Sequence, residues 1–157
     1  MDSYGARFPI EPGSADGYHF LIVEGRSYPD IADALHWGAV AALEAAGATH
    51  ETILVPSALE LPAAVAMALD ARDFDGYIAL GCVIRGHSGH YDAVVTQSVR
   101  ALIDLSVGDA VPLGVGLLAV ENEGQALARA RPEDQDRGGD AARAALALAA
   151  IKAKLND

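Results

Sequence analysis

The segment RGHSGH, residues 85–90, holds the densest group of side chains in this sequence that could bind an anion or move a proton. Its two glycines permit tight turns and it ends where a helical pattern begins, so His87 and Ser88 could hold a phosphate together with the free N–H groups of that helix. His90 would then stand beside the bound anion. A glycine turn with a solvated histidine is the alternative interpretation. A metal site built from both histidines and Asp92 is a third, although it offers only three mixed ligands on a bend.

Carboxylate and guanidinium groups elsewhere in the chain could complete such a site. Glu60 lies in the segment VPSALELP, residues 55–62, just before a helix that starts at a proline. The positive end of that helix favours an ionised carboxylate, which can accept several hydrogen bonds from a polyhydroxylated substrate. Arg129, Arg131 and Arg137 each offer a planar fork to a phosphate, although a cation near a helix C-terminus is common for structural reasons alone.

Strand-like and helix-like patterns alternate along the chain and predict the elements that position these groups. The strand-like runs are short and almost continuously apolar, as in parallel strands buried on both faces, and they span residues 19–24, 51–56, 76–84 and 111–120. Helical patterns occupy residues 30–46, 62–71, 91–106, about 122–131 and 139–155, with Asp30 as the expected N-cap of the first and Gly47 as its stop. The sequence therefore predicts an α/β fold, a three-layer α/β/α sandwich around a four-stranded parallel core sheet.

The predicted topology also selects where a ligand should bind. In an open parallel sheet, ligands bind outside the carboxyl ends of the strands. This rule selects four loops: residues 24–29, 56–61, 85–90 and the segment after residue 120. The candidate phosphate loop and Glu60 both fall within this set.

Composition and missing motifs exclude several classes of protein. The net charge of −11, from 11 basic and 22 acidic residues, disfavours nucleic acid and anionic membranes as partners. Cys82 is the only cysteine, so an intrachain disulfide is impossible and a cysteine-based zinc site is not expected. The sequence contains no dinucleotide-binding fingerprint, no P-loop and no stretch of about 18 apolar residues that would span a membrane. Residues 1–17 lack the pattern of a secretory signal, so we expect the protein to be cytoplasmic. We expect these residues to form an N-terminal arm that is disordered when alone, and residues 18–157 to form a single domain.

Taken together, the loop motifs resemble those of the 6,7-dimethyl-8-ribityllumazine synthase family, which catalyses the penultimate step of riboflavin synthesis. The resemblance covers about residues 19–155, and its most specific pieces are ALGCVIRGHSGHYD (79–92), VPSALELP (55–62), GLLAVENEGQALARA (116–130) and DRGGDAARAAL (136–146). It implies a transferase that condenses 5-amino-6-(D-ribitylamino)uracil with 3,4-dihydroxy-2-butanone 4-phosphate and needs neither a metal nor a redox cofactor. It also implies a homo-oligomer, a pentamer or a multiple of pentamers, with each site shared between neighbouring subunits.

The resemblance assigns roles to individual residues. His90, which closes the RGxxxH loop, is expected to transfer protons. His87, Ser88 and Arg129 are expected to hold the phosphate of the four-carbon substrate. Ala58, Leu59 and Glu60 are expected to contact the ribityl chain. Cys82, Val83 and Ile84 are expected to contact the pyrimidine through their backbone. Arg137 is also expected to contact substrate, at a position where lysine is usual.

Three aromatic positions of the family hold other residues here. The ring that stacks on the pyrimidine is replaced by Ser27, which Tyr28 follows. The residue before the ribityl carboxylate, often aromatic, is Leu59, and a position that is commonly phenylalanine from the neighbouring subunit is Val115. Because an aromatic pair contributes about 0.5–1.5 kcal/mol, we expect weaker affinity for the pyrimidine unless Tyr28 substitutes for the missing ring. The same losses leave two alternatives open, a non-catalytic flavin- or lumazine-binding protein of this fold and a shell-forming one that has lost the site.

Overall fold

The computed structural model describes residues 6–87 and 89–157. Four strands form one sheet in the order β2-β1-β3-β4, with every neighbouring pair parallel. The strands are β1 (His19–Gly25), β2 (Thr49–Val55), β3 (Gly76–Ile84) and β4 (Leu113–Val120). The predicted four-stranded parallel core sheet is confirmed.

Helices cover both faces of this sheet. They are α1 (Pro29–Ala45), α2 (Leu61–Ala71), α3 (Tyr91–Gly108), α4 (Glu123–Ala130) and α5 (Arg137–Leu155), with short 3₁₀ turns at Ala58–Glu60 and Arg85–His87. One buried apolar cluster joins one face of the sheet to α1, α4 and α5, and a second joins the other face to α2 and α3. The predicted three-layer sandwich is therefore confirmed. Within the described residues, no helix is both long enough and apolar enough to cross a membrane.

Two local expectations are wrong. Strand β2 was expected to be buried on both faces, but it lies at the edge of the sheet, and its residues Thr52, Ile53 and Leu54 are exposed. Asp30 was expected to cap α1, but the helix begins one residue earlier at Pro29 with Tyr28 as its N-cap, which leaves Asp30 in the first turn. Proline suits the first helical position because its missing N–H has no partner there in any case. Gly47 does end this helical region, with a φ of +89°.

Glycines let helix α5 lie very close to the edge strand β4. A Cβ at Gly114 would overlap the backbone carbonyl of Ala141, and a Cβ at Gly116 would crowd Leu80. Immediately before α5, Asp136 adopts a left-handed conformation and caps the helix by accepting a hydrogen bond from the Gly139 N–H at 3.2 Å. The start of α5, including Arg137, is thereby held against the middle of β4.

The described part of the predicted N-terminal arm, residues 6–17, contacts the body of its own chain. Ala15 is buried, and its N–H donates to the carbonyl of Ala46 at 2.8 Å. Arg7 pairs with Asp136 at 3.1 Å and reaches the carbonyl of Gln135. The segment is thus tied to α1 and to the start of α5, and its role as an arm in an assembly stays a prediction.

Candidate functional site

The carboxyl ends of the four parallel strands meet at one edge of the sheet, as the prediction for the site requires. Here lie the turn 26–28 after β1, the turn 56–60 after β2, the loop 85–90 after β3 and the short link 121–122 after β4. Most residues that the sequence nominated for substrate therefore share this edge, which we call the loop edge. Ser88, nominated for the phosphate, lies outside the described residues.

The turn after β1 is anchored by a buried carboxylate that the sequence analysis did not single out. Glu24 is 2% exposed, contacts His36 of α1 and accepts a hydrogen bond from Arg26 at 3.1 Å. Arg26 also donates to Asp33 at 2.7 Å. A buried carboxylate is retained only with such partners, and these fix the backbone just before Ser27. The signal in the sequence was a lone glutamate inside an otherwise apolar strand.

Consecutive residues of this turn contact different neighbouring loops. The Ser27 hydroxyl donates to the carbonyl of Pro56 at 3.1 Å. The Tyr28 hydroxyl lies 3.2 Å from Nδ1 of His87, and the two ring centroids are 5.6 Å apart. The turn after β1 therefore joins the Glu60 loop on one side to the candidate phosphate loop on the other.

The surroundings of Tyr28 keep its hydroxyl protonated at neutral pH. Burial raises the pKa of Tyr28, and the negative charge of Glu123 acts in the same direction. A backbone hydrogen bond with Ile84 lowers this pKa and opposes them. The ring also packs against the apolar cluster on the α1 face of the sheet.

Glu60 is held by a reciprocal hydrogen-bonded cap at the turn after β2. Its Oε1 accepts from the N–H of Ser57 at 2.8 Å and from the hydroxyl of Ser57 at 2.6 Å, while that hydroxyl accepts from the N–H of Leu59 at 3.2 Å. This capping box fixes the direction of the carboxylate. A polyhydroxylated chain bound here would therefore use Oε2 or compete with Ser57 for Oε1. Beside it Leu59 is 56% exposed, and Ala58 is buried.

The end of β3 is buried within the sheet. Cys82, Val83 and Ile84 are all buried, and the expectation that they contact a pyrimidine through main-chain groups stays a prediction. Burial, followed by the negative charge of Glu123, raises the pKa of the Cys82 thiol to about 12. Cys82 is accordingly a packing residue with no reactive thiolate near neutral pH.

The loop after β3 is clamped by Arg85, which the sequence analysis did not single out. Its Nε donates to Glu121 at 2.8 Å, one guanidinium nitrogen lies 3.6 Å from Asp92, and the guanidinium carbon lies 4.2 Å from the ring centroid of Tyr91. These contacts join the loops after β3 and β4 to the first turn of α3. Because Arg85 and Glu121 are 36 residues apart, sequence spacing gave no signal for the pair.

His90 is the N-cap residue of α3 and its side chain is exposed at the loop edge. Within residues 6–87 and 89–157, no three histidine, cysteine or acidic side chains are arranged to hold a metal ion. Asp92, the third residue of the metal interpretation, is instead within ion-pair distance of Arg85. The roles of this loop in anion binding and proton transfer stay predictions.

The remaining nominated residues, Val115, Arg129 and Arg137, lie away from the loop edge. Val115 is five residues before the end of β4, which places it about 17 Å along the strand from the loop edge. With Arg137 it lines a cavity of about 730 Å³ between β4, α5 and the N-terminal segment, where Arg7, Asp140 and Arg143 also lie. Arg129 is in the last turn of α4, about 9 Å of helix beyond the start of α4 at the loop edge. Within one chain the nominated residues form a loop-edge group and a second group away from that edge, with Val115 and Arg137 on the β4–α5 side and Arg129 at the end of α4.

Comparison with known proteins identifies the family. A family model described as 6,7-dimethyl-8-ribityllumazine synthase matches residues 17–153, which include every element of the sheet and both groups of nominated residues. The chain belongs to the 6,7-dimethyl-8-ribityllumazine synthase family. A lumazine synthase of Agrobacterium fabrum is 56% identical over 142 residues, covering 87% of this chain and 96% of that protein.

Further members of the lumazine synthase family are similarly close. A protein named 6,7-dimethyl-8-ribityllumazine synthase 1 in Rhizobium meliloti is 54% identical over 142 residues, covering 87% of this chain and 93% of that protein. Another of that name in Rhodopseudomonas palustris is 55% identical over 144 residues, covering 88% of each chain. The resemblance drawn from the loop motifs is therefore confirmed, while the roles of the individual residues stay predictions.

Proposed function

We propose that this chain catalyses the condensation of 5-amino-6-(D-ribitylamino)uracil with 3,4-dihydroxy-2-butanone 4-phosphate to give 6,7-dimethyl-8-ribityllumazine, inorganic phosphate and water. The observation that carries the proposal is the family match over residues 17–153, whose relatives at 52–56% identity bear the name of this synthase. The loop edge supports it, because it presents an imidazole at a helix start and a carboxylate in a fixed orientation.

His90 is the residue we propose for proton transfer. Imine formation, phosphate elimination and ring closure all move protons between nitrogen, oxygen and carbon, and histidine ordinarily titrates nearest to neutral pH. The N-cap position of His90 places it beside the first N–H groups of α3, which favour a bound phosphate. The proton donor and the departing phosphate would then be neighbours.

His87, Ser88 and Arg129 are the residues we propose for holding that phosphate. Binding energy at the phosphate, which is remote from the attacking amine, orients the carbonyl for attack. Much of the rate enhancement would come from this orientation, since the reaction joins two separate reactants that the site must hold together. Arg137, lining the β4–α5 cavity with Val115, is proposed to contribute to substrate binding from that side.

A shared site between two protomers is the arrangement that we propose for the two groups of residues. The loop-edge group and the β4–α5 group are separated along β4 within one chain, so a second copy that brings its β4–α5 side to the loop edge would complete the site. Large apolar side chains are exposed on α3 at Ile103 and Val107 and on α5 at Ile151 and Leu155, which is typical of surfaces that contact other subunits. These surfaces support a homo-oligomer, and the family resemblance implies its size, a pentamer or a multiple of pentamers. Cytoplasmic location stays a prediction from the sequence.

Incubation of the purified full-length protein with both substrates tests the activity directly. We expect lumazine absorbance to rise with release of one phosphate per lumazine formed, and native mass spectrometry to give a mass that is a multiple of five chains. Omission of either substrate is the control. Absence of turnover from a correctly assembled protein would contradict the proposed reaction, and a monomer with full turnover would contradict the shared site.

A further inference from the structure

Tyr28 and His87 meet across the loop edge although they are 59 residues apart in sequence. Tyr28 stands on rigid structure, because it is the N-cap residue of α1, Pro29 follows it, and its carbonyl accepts from the Ala32 N–H at 2.8 Å. His87 ends a 3₁₀ turn in a loop that has glycines at positions 86 and 89. The tyrosine is thus the fixed partner and the histidine the one whose orientation needs support.

The hydrogen bonds of Tyr28 determine which way its single proton points. The backbone hydrogen bond with Ile84 lowers the pKa of Tyr28, so it stabilises the phenolate and the Ile84 N–H is the donor. The phenol oxygen therefore accepts from Ile84 and can donate its proton to Nδ1 of His87, 3.2 Å away. A neutral imidazole that accepts at Nδ1 carries its own proton on Nε2.

The position of the Tyr28 ring argues against a role in stacking on the pyrimidine in place of the aromatic ring that is missing at Ser27. The ring packs with the apolar cluster on the α1 face of the sheet, whereas Ala58 and Val83 belong to the cluster on the opposite face. Ser27, at the position of the missing ring, points to the carbonyl of Pro56 on the Glu60 side. The expectation that Tyr28 stacks on the pyrimidine is not supported by this placement.

We propose that Tyr28 is a positioning residue for the phosphate loop: its hydroxyl donates to Nδ1 of His87 and so turns the Nε2–H of that ring toward the phosphate of the four-carbon substrate. The inference rests on the proposed function, since it assigns to Tyr28 the orientation of a residue proposed to bind the phosphate. It assigns the hydroxyl, rather than the aromatic ring, as the part of Tyr28 that the reaction uses.

Tyr28→Phe isolates the hydroxyl because it retains the ring and its packing. We expect this variant to raise the KM for 3,4-dihydroxy-2-butanone 4-phosphate about three- to tenfold, as for loss of one hydrogen bond, with the KM for the pyrimidine changed less than about twofold. His87→Ala is expected to raise the same KM at least as much, and Tyr28→Phe added to it should change the KM less than about twofold, since the two residues act through one contact. Tyr18→Phe is the matched control, because Tyr18 precedes β1 at the opposite end of the strand, and it should leave both KM values unchanged.

Three results would overturn the inference. They are an unchanged phosphate-substrate KM in Tyr28→Phe, additive effects in the double variant, and a rise confined to the pyrimidine KM. Tyr28→Ala distinguishes a stacking role of the ring from a role of the hydroxyl. If the ring stacks on the pyrimidine, Tyr28→Ala should raise the pyrimidine KM and Tyr28→Phe should not. Near-native unfolding midpoints show that the variants are folded.

Binding of inorganic phosphate distinguishes failure of this inference from failure of the proposed function. Titration of the full-length protein followed by ³¹P line broadening should show weaker phosphate binding in Tyr28→Phe than in wild type or Tyr18→Phe. An inactive wild-type protein whose phosphate binding depends on the Tyr28 hydroxyl would contradict the proposed reaction and support the pairing. Phosphate binding that is absent from wild type, or indifferent to Tyr28→Phe, would overturn the pairing whether or not lumazine is formed.

Discussion

Mixing two variants that damage opposite halves of the site tests whether two protomers share it. His90→Ala removes the imidazole at the start of α3, on the loop edge. Arg129→Ala removes a guanidinium in the last turn of α4, whose backbone lies about 9 Å of helix away from that edge. If one protomer supplies the loop-edge group and its neighbour supplies Arg129, each variant protomer retains one intact half.

The expected recovery follows from the closed symmetry of the assembly. A complete site requires the loop edge of an Arg129→Ala protomer next to the α4 of a His90→Ala protomer. In a ring assembled at random from equal amounts, each of these choices has a probability of one half, so about one quarter of the sites contain both wild-type groups. With 3,4-dihydroxy-2-butanone 4-phosphate held well below the KM of Arg129→Ala, turnover per site should therefore reach about a quarter of the wild-type rate, above the residual rates of the two parent variants.

Coexpression of the variants with different affinity tags gives the mixed assembly, and lumazine absorbance measures its turnover. Native mass spectrometry verifies that both chains are present in one particle. The matched control combines His90→Ala with Glu60→Ala, which lie in the same loop-edge group and should show no recovery. A verified mixed assembly no faster than the mean of its parents would refute the shared site, as would equal recovery in the control mixture.

Four further outcomes follow from the same geometry. His90→Ala alone should lower kcat by about 10²–10⁴, the usual contribution of general acid–base catalysis, and a larger loss would contradict the view that orientation supplies much of the rate. Arg129→Ala should chiefly raise the KM for the phosphorylated substrate, and an unchanged KM would reject its role. Gly114→Ala should destabilise the fold by about 1–3 kcal/mol in urea unfolding, because its Cβ overlaps the Ala141 carbonyl, whereas Gly108→Ala, with open space around it, should not. Cys82 should not react with a thiol reagent at pH 8 in the folded state, because its pKa there is about 12. Above pH 9.0 the thiol ionises in the unfolded chain but stays protonated in the folded one. The free energy of unfolding should therefore fall with rising pH more in wild type than in Cys82→Ala.

The sequence predicted best those parts of the fold that depend on local pattern. The run 76–84 is continuously apolar and forms β3 with these bounds, buried throughout. The exposure of β2 depends on its place at the edge of the sheet, which is a property of the strand order and is not visible in the residues of that strand. Tyr28 rather than Asp30 caps α1 because the proline between them takes the first helical position, a signal that was present in the sequence.

The location of the candidate site was predictable for a topological reason, and its internal contacts were not. Parallel strands bring their carboxyl ends to one edge, so His90 and Glu60 could be placed there from the order of the elements. The Arg85–Glu121 and Tyr28–His87 contacts join residues 36 and 59 positions apart, and they depend on how neighbouring loops pack. Long-range pairs of this kind leave no periodicity in the sequence to detect.

This family member retains the side chains proposed for proton transfer and phosphate binding, and it lacks aromatic side chains proposed for stacking on the pyrimidine. The residues proposed for protons and phosphate, His87, His90 and Arg129, are all present, while the positions that lost an aromatic ring are Ser27, Leu59 and Val115. Stacking on a pyrimidine is about equally strong before and during the reaction, so its loss weakens substrate binding without raising the barrier from the bound state. Proton transfer and phosphate departure change charge in the transition state, and groups that respond to that charge govern kcat. The substitutions in this chain are therefore of the kind that raises the KM for the pyrimidine and leaves the chemistry of the bound complex intact.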